Sequence, residues 1–213
     1  MIENDKNEEQ ITSKIQGIVL GIVTNNKDPE NLGRVKVKFP WISDNNESGW
    51  ARVMTMMASK EYGTFFLPEV GDEVAVIFEH GDIDSPYILG SLWNGENEPP
   101  LDNSDGENNI RTIKSRSGHE IVLDDSDNGK IEINTSSGHK ISLNDSSGGE
   151  KIEIIDKSGK NSILLDSNQN SIDISSDMKL TIKSKMIDIE AGGNMKIKAS
   201  GTLSIEGALL KLN

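Results

Sequence analysis

From residue 121 onward the chain repeats one very small unit: an apolar residue, a variable residue and a second apolar residue. The pairs are Ile121/Leu123, Ile131/Ile133, Ile141/Leu143, Ile152/Ile154, Ile163/Leu165, Ile172/Ile174, Leu180/Ile182, Ile187/Ile189, Met195/Ile197, Leu203/Ile205 and Leu210/Leu212. Successive pairs start 10, 10, 11, 11, 9, 8, 7, 8, 8 and 7 residues apart, so the units shorten toward the C terminus. Alternation with period 2 marks a half-buried strand, and dipeptides such as Ser117-Gly118, Asn128-Gly129, Ser137-Gly138 and Ser158-Gly159 mark the turns between strands. Each unit offers one strand of three or four residues with two inward side chains. Such a strand is stable only when stacked on others.

Two arrangements can stack them. A single-chain solenoid needs coils of about 20 residues to enclose its own core, so two or three units would have to share a coil. A homotrimer instead closes identical layers around an axis and removes the sheet edges. The absence of any larger aromatic filler, the shortness of the units and the lack of a distinct polar cap favour the trimer, although periodicity by itself leaves both open. Eleven strands, each advancing one strand spacing of ~4.8 Å in a threefold interwoven winding, predict a shaft roughly 50 Å long.

The first half is built differently. All nine aromatic residues and all six prolines lie at or before position 100, so this part can assemble a mixed core where the second half must bury small, uniform layers. Residues 1–14 read as a flexible arm. Strand-like segments follow at Gly17–Thr24, at Gly33–Phe39 with Val35, Val37 and Phe39 on one face, at Trp50–Met56, at Glu73–Phe78 and at Tyr87–Trp93, separated by Asn-, Asp-, Gly- and Pro-rich turns. Five or so strands with long loops predict a small barrel of OB type over 15–93. The polar, Pro- and Gly-containing stretch 94–109 reads as a linker, and 110–213 as the repetitive shaft. The fold class expected is all-β: a small OB-fold-like barrel followed by an interwoven trimeric β-helix or β-prism.

Charge narrows the functions. Residues 1–110 hold 8 Lys/Arg against 20 Asp/Glu, residues 111–213 hold 14 against 15, and the formal net charge is −13. Neither half supplies the basic stripe that nucleic-acid binding needs, so no nucleic-acid partner is expected. There is no cysteine, hence no disulfide or thiolate zinc site. The first ten residues are polar and acidic, without the pattern of a secretory signal, and no apolar run approaches 18 residues, so assembly in the cytoplasm is expected.

Residues 15–93 resemble the OB-fold domain of phage baseplate assembly protein V and of the VgrG-type central spikes of contractile injection systems. The resemblance rests on Gly21-Ile-Val-Thr-Asn-Asn26, Leu32-Gly-Arg-Val-Lys-Val-Lys-Phe-Pro-Trp41, Trp50-Ala-Arg-Val53, Phe66 through Phe78 (FLPEVGDEVAVIF), and Gly81 through Trp93 (GDIDSPYILGSLW). It implies a mechanical role. A homotrimer at the end of a tail tube, in a virion baseplate or an injection-system particle, is driven through a target envelope with transient membrane contact and no catalysis. The hub portion fused in VgrG proteins and the lysozyme-like insert of some relatives are not recognisable here, so a separate hub protein is expected. The C-terminal stretch lacks the paired histidines that hold an axial metal in some phage spikes and looks blunt, which suggests a PAAR-like tip protein, with cargo or an effector as a further partner. A fibre or adhesin with a β-solenoid stalk, or an OB-type binding module, are the alternatives.

Individual residues are read against these roles. The apolar pairs are the expected shaft core. Val35, Val37, Phe39, Trp41, Trp50, Phe66, Val74, Val76, Phe78 and Trp93 are expected to be barrel core or hub-facing. His80, His119 and His139 read as surface turn residues, and Asp82 and Asp84 as turn formers that fall short of a calcium loop. Glu132, Glu153, Asp173 and Asp188 alternate outward from the shaft and imply no catalytic pocket. Arg34, Lys36, Lys38 and Arg52 give a small positive patch within an acidic domain. No catalytic residue, cofactor or metal is expected.

Overall fold

The computed structural model describes residues 14–42 and 47–211. The chain is all-β and divides into two compact units, Met1–Asn108 and Asn109–Asn213.

The first unit is a curled, OB-like sheet. Its main strands are β1 (Val19–Asn25), β2 (Lys36–Lys38), β3 (Arg52–Val53), β6 (Glu73–Phe78) and β7 (Pro86–Ser91), in the order β2-β1-β6-β7-β3. A small hairpin of β4 (Ala58–Ser59) and β5 (Tyr62–Gly63) stands apart from it. Bulges between Val23 and Asn25 and between Ala75 and Val76 bend the sheet, as an extra residue in one strand does. The two ends then meet: Val35 and Ala51 exchange both backbone hydrogen bonds, at 3.0 and 2.8 Å. Alternation decides the core. Val74, Val76 and Phe78 point inward from β6 and join Val23, Val35, Val37, Phe39, Ala51 and Ile88. The Phe39 and Phe78 rings lie 5.5 Å apart and tilted, a favourable aromatic geometry. Gly21 sits where strands crowd: a Cβ there would lie 3.2 Å from Val76 Cγ2 and 3.4 Å from Val37 Cβ.

The second unit contains one seven-stranded antiparallel meander: β8 (Ile110–Lys114), β9 (Glu120–Asp124), β10 (Lys130–Asn134), β11 (Lys140–Asn144), β12 (Lys151–Ile155), β13 (Ser162–Asp166) and β14 (Ser171–Ser175). Each strand pairs with its sequence neighbours, and five residues of strand plus about five of turn account for the 10–11-residue spacing of the early repeats. Sequence reading differs from this in several places: the segment expected over Gly33–Phe39 is a strand only at Lys36–Lys38, and the β4–β5 hairpin was not expected. The segment expected over Trp50–Met56 is a strand only at Arg52–Val53. Strand β8 carries no apolar-x-apolar pair because Arg111 occupies one of the two positions. The last five repeats, from Leu180 onward, contain no strand among the described residues, and Leu212 lies outside them.

Candidate functional site: an uncovered ladder of isoleucine and leucine

Register places the apolar pairs opposite one another through the whole meander. Ile121 faces Ile113 and Ile133; Ile141 faces Ile133 and Ile154; Ile163 faces Ile154 and Ile174. Alongside runs a second column, Leu123, Ile131, Leu143, Ile152, Leu165 and Ile172, which begins at Arg111. Because side chains alternate across a strand, both columns share one face of the sheet.

That face is not covered within the chain. Ile121, Leu123, Ile131, Ile133, Ile141, Leu143, Ile152, Ile154 and Ile163 all lie between 38 and 46% exposed, Leu165 is half-buried, and Ile172 and Ile174 are more open still. A contiguous apolar surface of this size is rare on a free-standing protein and marks an interaction face. A groove of about 560 Å³ runs along it, lined by Ile133, Ile141, Ile154, Ile163, Ile174 and Leu180. Downstream, Leu180, Ile182, Ile187, Ile189, Met195, Ile197, Leu203, Ile205 and Leu210 are all exposed.

The opposite face is better satisfied. Ser142 is buried, and Glu132 takes Lys140 at 2.9 Å and Lys130 at 3.5 Å; burial alone would raise its pKa, and the two ammonium groups more than offset that. Glu153 has Lys151 at 3.7 Å. The turns at one end of the strands are stitched together. His119 Nδ1 accepts from the Ser136 N–H and His139 Nδ1 from the Lys157 N–H, each at 3.3 Å, so each exposed histidine ties its own turn to a later one. Asp156, held well below the usual carboxylate range by Ser158 and Asn161, organises another turn.

In the barrel, Val35, Val37, Phe39, Val74, Val76 and Phe78 form the core, Trp50 is half-buried, and Trp41, Phe66 and Trp93 lie at the surface. The positive patch is largely engaged. Arg34 binds Asp28 through two 2.8 Å hydrogen bonds and reaches Glu30 at 3.1 Å, Lys36 meets Glu47 at 2.7 Å, and both cations approach the Trp50 ring, at 6.0 and 5.4 Å from its centroid. Arg52 stacks on Tyr87, 4.5 Å from the ring centroid, and hydrogen-bonds its hydroxyl. Asp28 is nearly buried and also accepts the backbone N–H groups of Glu30, Leu32 and Arg34. Sequence reading missed it, because Asn25–Asn31 reads only as turn punctuation. Asp82 likewise acts within its turn, accepting from the Asp84 N–H and the Ser85 hydroxyl. Among the described residues no group of three or more His, Asp or Glu side chains is arranged to hold a metal ion, and no helix is long and apolar enough to cross a membrane. Asp28, Glu47, Asp124, Glu132, Glu150 and Asp156 are all held as anions, the wrong state for a general acid, and they serve turns, ion pairs and sheet surface.

Comparison with known proteins places the barrel. Residues 19–93 match the family model of the type VI secretion system/phage-baseplate injector OB domain. Over 75 residues the chain is 45% identical to the type VI secretion system spike protein VgrG3 of Vibrio cholerae, covering 33% of this chain and 7% of that protein. It is 42% identical over 77 residues to the spike protein VgrG5 of Pseudomonas aeruginosa, covering 34% and 10%. The actin cross-linking toxin VgrG1 of Vibrio cholerae is 44% identical over 72 residues, covering 32% and 7%. The chain therefore spans no more than about a tenth of the length of these curated relatives, and the segment they share, a curled five-stranded sheet, is similar to the injector OB domain.

Proposed function

We propose that this chain is the central spike of a phage tail or phage tail-like contractile injection system, and that three copies cover one another's Ile/Leu faces to make its shaft. The observation that carries this reading is the ladder itself: two columns in continuous register, left open by their own chain, in a polypeptide that also holds an injector OB domain. Closing three such faces around an axis buries the still-exposed part of every pair against symmetry-related copies; with most of the meander side chains 38–46% open, closure gains a fraction of the ~1.5–3 kcal/mol of full burial at each Ile or Leu, and these fractions sum over the ladder. The shaft core is then the full set of pairs. A stiff stack of short strands transmits axial force to a narrow end, which suits envelope piercing. The exposed Trp41, Phe66 and Trp93 are offered to a hub protein at the barrel, and a PAAR-like tip protein and cargo are further partners. The particle, in a virion baseplate or an injection machine, is where the protein works.

Light scattering or native mass spectrometry of the purified full chain tests the reading. Three times 23.3 kDa is expected. A monomeric mass would overturn it and return the repeats to a single-chain solenoid.

A further inference from the structure

Every second turn of the meander closes at the same end of its strands, and these turns share one short pattern. Ser115-Arg-Ser-Gly-His119 joins β8 to β9, Thr135-Ser-Ser-Gly-His139 joins β10 to β11, and Asp156-Lys-Ser-Gly-Lys-Asn161, one residue longer, joins β12 to β13. In each, the first residue makes the same three bonds. Its N–H donates to the carbonyl of the last residue, at 2.8, 2.9 and 3.1 Å, and its own carbonyl accepts the N–H of the glycine, at 2.9, 3.0 and 2.9 Å. Its side-chain oxygen accepts the N–H of the last residue, at 3.0, 3.0 and 3.2 Å. The backbone of the last residue is thereby fixed within the turn, and its side chain reaches out of it.

That side chain is used the same way three times. His119 Nδ1 accepts the N–H of Ser136, His139 Nδ1 accepts the N–H of Lys157, and Asn161 Oδ1 accepts the N–H of Asp177, each at 3.3 Å; Asn161 also takes the Ser176 hydroxyl at 2.9 Å. The donor is the second residue of the next turn at that end or, for Asn161, of the segment that follows β14. Two strand spacings, ~9–10 Å, separate such turns, too far for backbone to meet backbone, so the side chain is the bridge. An imidazole nitrogen accepts only while it carries no hydrogen, which places the proton of both neutral rings on Nε2. An amide oxygen has no such condition. The three rungs are alike in geometry and unlike in chemistry.

We infer that this column is an acid-sensitive fastening of the meander: protonation of His119 and His139 turns their Nδ1 atoms from acceptors into donors, opens the first two rungs, and leaves the Asn161 rung closed. Above the range in which imidazoles titrate, about pH 5 to 8, all three rungs hold successive hairpins in line. Below it, the strand ladder alone joins those hairpins at the two histidine rungs. Around His119 the charged groups are Arg116 in its own turn and Glu120 beside it, which Lys114 approaches at 3.9 Å; the turn it reaches carries only His139. Beside His139 is Lys140, paired with Glu132 at 2.9 Å, and the turn it reaches brings Asp156, Lys157 and Lys160. Asp156 is engaged by Ser158 and Asn161, Lys160 by Asp177 at 2.8 Å, and Lys179 lines the same groove as His139. The fastening lies within one chain and does not rest on how many copies assemble.

Two measurements on the full chain test it. With isotope-labelled histidine, the ring nitrogen shifts of His119 and His139 at about pH 8 should report the Nε2–H tautomer; the Nδ1–H tautomer would overturn the inference. Hydrogen exchange at single-amide resolution, corrected for the intrinsic pH dependence of exchange, then reads the rungs. Between about pH 8 and pH 5, protection at Ser136 and Lys157 should fall about two- to tenfold relative to Asp177, the change expected when one hydrogen bond is lost. His119→Asn with His139→Asn supplies the acceptor that the third rung already uses, and should keep protection at Ser136 and Lys157 while abolishing its acid dependence. His119→Ala with His139→Ala should lose that protection at both pH values. Equal falls at all three amides in the parent, or an acid-dependent fall that survives in the asparagine variant, would show that the histidines are ordinary surface turn residues.

Discussion

Asp28 shows how much a single buried carboxylate can organise in a barrel of this size. It accepts two hydrogen bonds from Arg34 and three from backbone N–H groups, which hold it well below the usual carboxylate range and fix the loop between β1 and β2. A folded-state pKa below the unfolded value of about 3.9 contributes stability that is complete above pH ~4 and is lost progressively as pH falls toward the folded value. Asp28→Asn should therefore lower the melting temperature most at pH 7, and the gap to the parent should narrow below pH ~4; a gap that stays constant on acidification would sink the ionic account. Gly21 carries the opposite lesson, a position defined by lack of space. Valine there must push against Val76 and Val37 and should cost about 1–3 kcal/mol, the usual penalty of overpacking, seen as a lower denaturation midpoint without a change in the fold of the rest. The core of β2 and β6 was legible because valines and phenylalanines alternate there. Asp28, Gly21 and the surface setting of Trp41, Phe66 and Trp93 were not, because each depends on what chain segments distant in sequence bring alongside it.

Elements of the shaft were legible for the same reason of period, and their limits are equally physical. Alternation fixed which face is apolar from Ile121 to Ile174, and the observed register pairs those residues directly. Strand β8 was hidden by Arg111, and the repeats past Ser175 form no strand among the described residues, a difference that pattern could not foretell because it reports the face a segment would bury and is silent on what pairs with it. Ile152 makes the point testable. It stands opposite Leu143 and Leu165 and is 42% exposed in one chain, so a lone molecule should tolerate aspartate there with little loss. In a closed trimer the same change buries three like charges in one layer, at an effective penalty of several kcal/mol per ion. Ile152→Asp should abolish the heat-resistant assembly, whereas Glu153→Lys, on the other face, should give up an ion pair worth ~0–1 kcal/mol and leave the assembly intact. Equal heat resistance of Ile152→Asp and parent would show that the apolar face is not covered.

For the whole molecule the division of charge matters as much as the division of fold. The barrel half carries nearly all the net charge, 20 acidic against 8 basic residues over 1–110, while 111–213 are close to balance at 15 against 14. In the proposed trimer the acidity of the first part is multiplied without any added counter-charge, and such self-repulsion works against a compact state. The ion pairs Arg34–Asp28 and Lys36–Glu47 pull the other way, but each is a local contact, whereas the repulsion sums over the whole half. Raising ionic strength from about 0.01 M to 0.15 M shortens the screening length from ~30 to ~8 Å and should relieve the summed term most. Calorimetry of the full chain should therefore show the barrel transition moving to higher temperature with added salt while the shaft transition, held by apolar layers and nearly neutral, stays within a degree or so. A barrel transition that falls with salt would mean that the local pairs outweigh the field, and the acidity of this half would then need a basic partner surface, rather than solubility of an assembled particle, as its explanation.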